Sequence, residues 1–118
     1  MIVFVYGSLK RDKKLHHFLK NSKFLGEATT CEKYPMLLSK AGWYPYLIEK
    51  PGVGYHIKGE AYKITPKTLK ILDKVEEAPH YYYRKKICID IDGKKTKAWA
   101  YFVKKPPKFS KKDLIKEF

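Results

Sequence analysis

The chain has 118 residues, of which 44% are hydrophobic, and a formal net charge of +14. This length suits one domain with one core, and no stretch approaches the roughly 18 apolar residues that a membrane-spanning helix needs. The excess lysines recur in pairs along the chain instead of forming one block, as is typical of solvated faces and guarded strand edges. Composition therefore disfavours a membrane or a nucleic acid as partner.

The N-terminal segment begins with an apolar run over residues 1–6, which predicts a strand buried on both faces. No basic region precedes this run, so it does not resemble a secretory signal, and we expect a cytoplasmic protein. Tyr6-Gly7-Ser8-Leu9 ends the run. Apolar residues then recur at spacings of three and four, which predicts a short amphipathic helix over about residues 12–21.

The middle of the chain, residues 23–64, is divided by prolines and glycines into apolar pieces too short for helices, and it predicts several short strands. The last of these, 55–64, follows a turn. Thr65 is a favoured helix N-cap and Pro66 a favoured first helical residue. The predicted helix runs to about Glu76.

The C-terminal part predicts a hairpin. Alternating residues indicate strands over about 81–91 and 95–103, and Asp92-Gly93 between them is a strong two-residue turn signal. Ser110, followed by Asp113, is suited to capping a last short helix. We therefore predict one α+β domain over residues 1–118, a small mixed, mostly antiparallel β-barrel flanked by two or three short helices.

Tyr6-Gly7-Ser8-Leu9 is the first candidate site. A buried strand that ends abruptly before a helix exposes several backbone N–H groups together, and such groups bind carboxylates or oxyanions. We expect Gly7 to adopt backbone geometry that other residues resist and to let a ligand approach closely. The alternative interpretation is an ordinary turn between a strand and a helix.

Glu76 is the second candidate. With Leu69 set at zero and about 100° per residue, Glu76 lies near −20°, at the rim of the apolar stripe, whereas Glu77 lies near +80°. Burial raises the pKa of a carboxyl group, which suits a general base that works near pH 7. Alternatively, Glu76 swings outward and pairs with Arg84 or a lysine.

Aromatic residues form the third feature. Tyr81-Tyr82-Tyr83 precedes Arg84, and Tyr101 lies late in the hairpin. Tyrosines lining a small pocket offer hydroxyl groups and flat walls, but tyrosine is also simply a good strand residue.

The sequence contains no pattern typical of a metal site, a nucleotide-binding loop or a catalytic nucleophile. The adjacent His16 and His17 face different directions on a helix, and no phosphate-binding glycine pattern occurs, so we predict no metal and no cofactor. Cys31 and Cys88 form no CxxC pair, and we expect both to be free thiols packed as small apolar residues.

Five short segments, in this order, resemble the γ-glutamylcyclotransferase-like (AIG2-like) family, particularly its γ-glutamylamine cyclotransferase branch. They are Val5-Tyr6-Gly7-Ser8-Leu9-Lys10, Tyr34-Pro35, Gly59-Glu60-Ala61-Tyr62, Leu72–Glu76 with Pro79, Tyr82 and Arg84, and Ala98-Trp99-Ala100-Tyr101. Val75 and Glu77 depart from the aromatic residue and the glycine that are common there.

The resemblance implies a function and a site. It implies that Glu76 is the catalytic acid/base and that the backbone of Tyr6, Gly7, Ser8 and Leu9 binds the polar end of a γ-glutamyl substrate. It further implies that Tyr82, Arg84 and Tyr101 contribute to the pocket. The expected products are 5-oxoproline and a free amine or amino acid.

Three other functions stay open at this point. The first is the same reaction on another γ-glutamyl donor. The second is a non-enzymatic module of the same fold that binds a small carboxylate. The third is a basic RNA-binding protein, which would need a continuous basic face with exposed aromatic residues.

Overall fold

The computed structural model describes residues 1–118 and contains seven strands and one α-helix. The strands are β1 (Ile2–Val5), β2 (Lys23–Tyr34), β3 (Met36–Leu38), β4 (Pro45–Leu47), β5 (Tyr55–Lys63), β6 (Tyr82–Ile91) and β7 (Lys94–Val103). The helix is α1 (Pro66–Val75), and 3₁₀ helices cover His16–Leu19 and Lys111–Asp113.

A closed barrel forms from five strands in the order β1-β5-β2-β6-β7. Neighbours pair antiparallel, except that β1 pairs parallel with β7 and so completes the barrel. Strands β3 and β4 form a separate antiparallel pair. The predicted mixed, mostly antiparallel barrel with flanking helices is confirmed.

Side chains of the barrel strands alternate between two apolar clusters. Phe4 and Phe102 belong to a cluster with the alternate residues of neighbouring strands. Val3 belongs to a second cluster, in which Leu69 and Leu72 of α1 also pack. The second cluster therefore joins α1 to the barrel and fixes where the helix ends relative to β1.

Helix α1 begins and ends as the sequence predicts. The side chain of Thr65 accepts a hydrogen bond from the backbone N–H of Thr68 at 3.2 Å, and Pro66 is the first helical residue. Glu76 is the C-cap. The Asp92-Gly93 turn is also confirmed, with positive φ at both residues, as tight hairpin turns require.

The predicted helix over residues 12–21 is wrong in extent and type, because only the 3₁₀ helix His16–Leu19 forms. Asp12 has φ 64°, which interrupts a right-handed helix. The N–H of Leu15 instead bonds back to the carbonyl oxygen of Ser8 at 2.8 Å. Leu19 is nevertheless buried, so the apolar spacing correctly identified the inward face.

The prediction that Cys31 and Cys88 are free thiols is also wrong, because the structure joins them in a disulfide. Strands β2 and β6 place Thr30 opposite Ile89, so the two cysteines are the next pair along the same register. Each is only partly buried. Separately, none of the helices has the length and apolar content that crossing a membrane requires.

Candidate active site

A cavity of about 600 Å³ opens where β1 and α1 both end. Its lining includes the loop Tyr6–Leu9, Glu76, Tyr82 and Tyr101. Of the residues that the family resemblance assigns to the site, the structure therefore brings together all except Arg84. These residues come from four separate stretches of the chain, and the barrel register makes them neighbours.

The loop offers unpaired donors to this cavity. The backbone N–H groups of Gly7, Ser8 and Leu9 donate to no backbone or side-chain acceptor of the protein. Gly7 and Leu9 are buried residues. Three consecutive free N–H groups that border a cavity form a site suited to an anion.

Gly7 is needed for space and not, as expected, for unusual backbone angles. Its φ lies outside the left-handed region that the other turn glycines occupy. A Cβ added at Gly7 would lie 2.8 Å from Cγ of Pro45, which is closer than real contacts allow. A larger residue would therefore push the loop away from the β3–β4 hairpin.

Glu60 holds the segment that follows the loop. Its carboxylate accepts hydrogen bonds from the backbone N–H of Arg11 at 2.8 Å, the hydroxyl of Tyr62 at 2.9 Å and Nε of Arg11 at 3.3 Å. Burial raises the pKa of Glu60, but these hydrogen bonds outweigh it and leave the pKa below the usual value. Glu60 is therefore an ionised structural anchor.

Glu76 has the opposite environment. Its backbone N–H bonds to the carbonyl oxygen of Leu72 at 2.9 Å, so the end of α1 fixes its position. Its side chain forms no ion pair, because Arg84 pairs with Asp73 instead. Burial raises the pKa of Glu76 to about 7. The alternative interpretation, an outward pair between Glu76 and Arg84, does not describe the structure.

Two tyrosines have their hydroxyl groups committed within the protein. The hydroxyl of Tyr6 donates to the carbonyl oxygen of Tyr101 at 2.7 Å, and the hydroxyl of Tyr101 donates to Oδ1 of Asp73 at 2.7 Å. Because Tyr101 donates its proton to Asp73, its oxygen can offer only lone pairs to a ligand. Tyr82 is buried beside Glu76, and burial raises its pKa.

Arg84 is the one selected residue outside the cavity lining. Its Nε donates to Oδ1 of Asp73 at 2.9 Å, the same oxygen that accepts from Tyr101, and its guanidinium lies 4.3 Å from the ring centroid of Trp99. The expectation that Arg84 lines the pocket is therefore corrected. Its ion pair fixes Asp73, and Asp73 fixes the hydroxyl of Tyr101.

Two aromatic residues at the cavity mouth, Trp43 and Tyr44, were not predicted from the sequence. Trp43 and Tyr44 reach it from the connection between β3 and β4, a segment without helical or strand periodicity. Glu77 also borders the mouth, although it is exposed, as its helical phase predicted. Its φ is 54°, a left-handed conformation that glycine adopts more easily.

The arrangement combines three chemical capacities in one space. The loop N–H groups can hold an anion, the oxygen of Tyr101 can accept from an amine, and Glu76 can exchange a proton near neutral pH. No group of three or more His, Cys, Asp or Glu side chains is placed to hold a metal ion. The site suits proton-transfer chemistry on a small molecule that bears a carboxylate and an amine.

Known proteins are similar to this chain in sequence and in fold. The family described as gamma-glutamyl cyclotransferase, AIG2-like, matches residues 3–117. A Methanocaldococcus jannaschii protein, provisionally assigned as a gamma-glutamylcyclotransferase, is 47% identical over 85% of this chain and 82% of its own length. Gamma-glutamylaminecyclotransferase C of Danio rerio is 39% identical over 75% of this chain and 62% of its own length.

A solved structure supports the fold independently. The crystal structure of a mouse AIG2-like protein superposes with a TM-score of 0.85, covering 99% of this chain and 86% of that one, at 24% identity. That likeness extends to the whole barrel and its flanking helices.

Proposed function

The chain belongs to the γ-glutamyl cyclotransferase, AIG2-like family, and from that premise we propose that it converts a γ-glutamyl compound into 5-oxoproline and a free amine or amino acid. The observation that carries the proposal is an unpaired carboxyl group with a pKa of about 7 in the same cavity as three unpaired backbone N–H groups. These are the groups that such a reaction needs.

The reaction is intramolecular. The α-amine nitrogen of the glutamyl group attacks its own γ-carbonyl carbon, a five-membered ring closes, and the bond to the leaving nitrogen breaks. Because both reacting groups belong to one molecule, the enzyme mainly has to hold the chain in the reactive rotamer. The concave shape of the cavity and its aromatic walls support this role.

Glu76 is the proposed acid/base. The α-amine arrives as an ammonium and must lose a proton before it attacks, and the departing nitrogen must gain one. A carboxyl group with a pKa of about 7 can accept the first proton and return it near neutral pH. Reaction therefore requires ionised Glu76 in the free enzyme, so kcat/KM should rise with pH through about 7.

The loop is the proposed anion site. The N–H groups of Gly7, Ser8 and Leu9 would bind the α-carboxylate or the oxyanion that develops on the γ-carbonyl. The oxygen of Tyr101, whose proton is donated to Asp73, would accept a hydrogen bond from the α-ammonium group. Together these contacts would hold the α-amine, and either the α-carboxylate or the γ-carbonyl, of the glutamyl group in place relative to Glu76.

The test is an assay of 5-oxoproline release from a panel of γ-glutamyl donors, including γ-glutamyl-ε-lysine and γ-glutamyl amino acids. Glu76→Gln keeps the side-chain shape and removes the base, so turnover should fall by roughly 10²-fold or more, while 5-oxoproline still binds. The matched control is Glu77→Gln, which alters the exposed neighbour and should retain wild-type turnover.

Two results would contradict the proposal. Folded wild-type protein that releases no 5-oxoproline from any donor would exclude the reaction for that panel and favour a carboxylate-binding module. Equal loss of activity in Glu76→Gln and Glu77→Gln would exclude Glu76 as the specific base.

A further inference from the structure

Three large aromatic side chains at the cavity mouth have no apolar cover. Trp43 is 68% exposed, Tyr81 47% and Tyr44 39%. A second cavity of about 600 Å³ lies on the other side of these residues, and all three line both cavities. The two cavities therefore adjoin across one aromatic wall, which is available to a ligand that extends from the first cavity into the second.

The wall is held in position by its own loop. The side-chain oxygen of Ser39 accepts hydrogen bonds from the backbone N–H groups of Trp43 and Tyr44 at 3.2 and 3.3 Å. The N–H of Ser39 in turn bonds to the carbonyl oxygen of Tyr44 at 2.9 Å. These three bonds fix the backbone that carries Trp43 and Tyr44, so little backbone ordering is needed there when a ligand binds.

The charge around the wall is mainly positive. Lys40 and Lys105 line the second cavity, and Nζ of Lys14 lies 5.4 Å from the ring centroid of Trp43. Glu77 at the mouth of the first cavity carries a negative charge that partly offsets these lysines. Apart from the two lysines and the tyrosines, the second cavity has one ionisable side chain, His80. Lysines converging beside an apolar wall favour a ligand that carries a negative charge.

The polar ends of the first cavity determine which part of the substrate reaches the wall. In either placement proposed above, the loop N–H groups hold the α-carboxylate or the γ-carbonyl oxygen of the glutamyl group, and the γ-amide lies within reach of Glu76. A cavity of about 600 Å³ falls in the range that holds a drug-sized ligand, so a glutamyl group alone does not fill it. The group attached to the γ-amide nitrogen must therefore extend toward the aromatic wall.

Building on that function, we propose that the second cavity is the leaving-group subsite. We infer that it selects γ-glutamyl donors whose leaving amine carries both an aromatic ring and a carboxylate. The ring packs on Trp43, Tyr44 and Tyr81, and the carboxylate lies near Lys40 and Lys105. In the reaction the α-ammonium gives one proton to Glu76, its nitrogen bonds to the γ-carbon, and the γ-carbon–nitrogen bond to the leaving group breaks as the departing nitrogen takes that proton. The second proton, which the ring nitrogen loses when the lactam forms, passes through Glu76 to the departing amine, which leaves as an ammonium.

This subsite discriminates by net charge as well as by shape. The leaving group of γ-glutamyl-ε-lysine bears both an ammonium and a carboxylate and so gains no net attraction from the lysines. The leaving group of γ-glutamyl-phenylalanine bears the carboxylate alone until it departs. The charge contribution alone is isolated by comparing γ-glutamyl-phenylalanine with γ-glutamyl-phenethylamine, which lacks only the carboxylate.

Four donors separate the two contributions. They are γ-glutamyl-phenylalanine, γ-glutamyl-alanine, γ-glutamyl-phenethylamine and γ-glutamyl-ε-lysine. Wild-type kcat/KM should be at least about tenfold higher for phenylalanine than for alanine, which is the selectivity that an apolar pocket gives for added apolar surface. Removal of the carboxylate, as in phenethylamine, should lower kcat/KM about threefold at low salt and less at high salt.

Two variants assign these effects to residues. Trp43→Ala should reduce the phenylalanine preference below about threefold, because the largest part of the wall is gone. The pair Lys40→Gln and Lys105→Gln should remove the preference for the carboxylate. The matched control is the pair Lys94→Gln and Lys95→Gln, which removes the same charge at the exposed start of β7 and should leave the preferences unchanged.

The outcomes separate this subsite from the function on which it rests. If γ-glutamyl-alanine yields 5-oxoproline but phenylalanine is no better, or if Trp43→Ala leaves the preference intact, the subsite proposal is overturned and the function stands. If no donor reacts, calorimetric binding of glutaryl-phenylalanine and glutaryl-alanine, which lack the attacking amine, decides instead. Tighter binding of the phenylalanine compound, abolished by Trp43→Ala, supports the subsite; equal binding overturns it.

Discussion

Glu60 and Glu76 both lie near the loop Tyr6–Leu9, but their carboxyl groups have opposite environments. Glu60 is 6% exposed and accepts three hydrogen bonds, from Arg11 and Tyr62, and its pKa is lowered. Glu76 has no ion-pair partner, and burial raises its pKa to about 7. Burial alone therefore does not identify a proton-transfer group. A buried carboxyl group whose pKa is not lowered again by hydrogen-bond donors does fit that role.

The largest effect on stability is expected from breaking the Glu60 anchor. In Glu60→Gln one amide oxygen must replace a carboxylate that accepts from Arg11 and Tyr62, and the amide NH₂ faces the guanidinium. We expect unfolding free energy to fall by about 2 kcal/mol, the scale of hydrogen bonds to a charged group. Chemical denaturation at pH 7 measures this. A loss equal to that of Glu76→Gln would contradict the contrast between the two sites.

The pH dependence of stability should also separate the two groups. Because the pKa of folded Glu76 is raised to about 7 from its usual 4.5, the folded protein binds an extra proton between these values. The contribution of Glu76 to the free energy of unfolding is therefore complete below about pH 4.5, and it is lost as pH rises through 7. Glu60, with a lowered pKa, contributes stability above its usual pKa that is lost on acidification.

The measurement is denaturation of wild type and Glu76→Gln between pH 5 and pH 8. The substituted amide carries no charge at any of these pH values, so the variant should gain about 1–2 kcal/mol relative to wild type across this range, a value reduced for the partial exposure of Glu76. Parallel stability curves for the two proteins would show that Glu76 does not titrate in this interval.

A smaller effect, on turnover, is expected at Asp73. This third carboxylate is paired with Arg84 and does not line the cavity, but it accepts a hydrogen bond from Tyr101, which does. Asp73→Asn weakens the acceptor shared by Arg84 and Tyr101. Turnover with a reactive donor should fall about three- to tenfold as the hydroxyl of Tyr101 loses its fixed direction. The rise of kcat/KM with pH should keep its midpoint, because Glu76 is untouched.

The control for Asp73→Asn is Asp92→Asn at the exposed β6–β7 turn, where asparagine also tolerates the positive φ of 51°. It removes one negative charge without touching the cavity and should leave turnover unchanged. Wild-type turnover in Asp73→Asn would show that Tyr101 needs no such support.

What the sequence reveals about the site depends on the range of the interactions involved. The N-cap at Thr65, the helical phase of Glu76 and the Asp92-Gly93 turn are local patterns, and each is confirmed structurally. The loop donors were likewise predictable, because an interrupted strand leaves N–H groups unpaired. These features account for the barrel class and for the inner end of the cavity.

The remainder depends on long-range register that periodicity does not encode. The disulfide joins Cys31 and Cys88 across 57 positions of sequence, and it follows from the pairing of β2 with β6. Trp43 and Tyr44 of the aromatic wall come from an irregular segment between β3 and β4, and Arg84 turns to Asp73 instead of the cavity. Glu60 was visible in sequence only as part of a short motif, and its anchoring role emerges from its contact with Arg11.

The most direct test of the central claim is a carboxyl-carbon NMR titration of protein labelled with ¹³C in its glutamate side chains, with Glu60→Gln and Glu76→Gln used to assign the two signals. We predict that Glu76 titrates with a pKa of about 7, whereas Glu60 titrates below the usual 4.5 of a glutamate. A Glu76 signal that titrates at or below 4.5 would contradict the account, because the group would then be an ordinary surface carboxylate without the proton affinity that the proposed reaction requires.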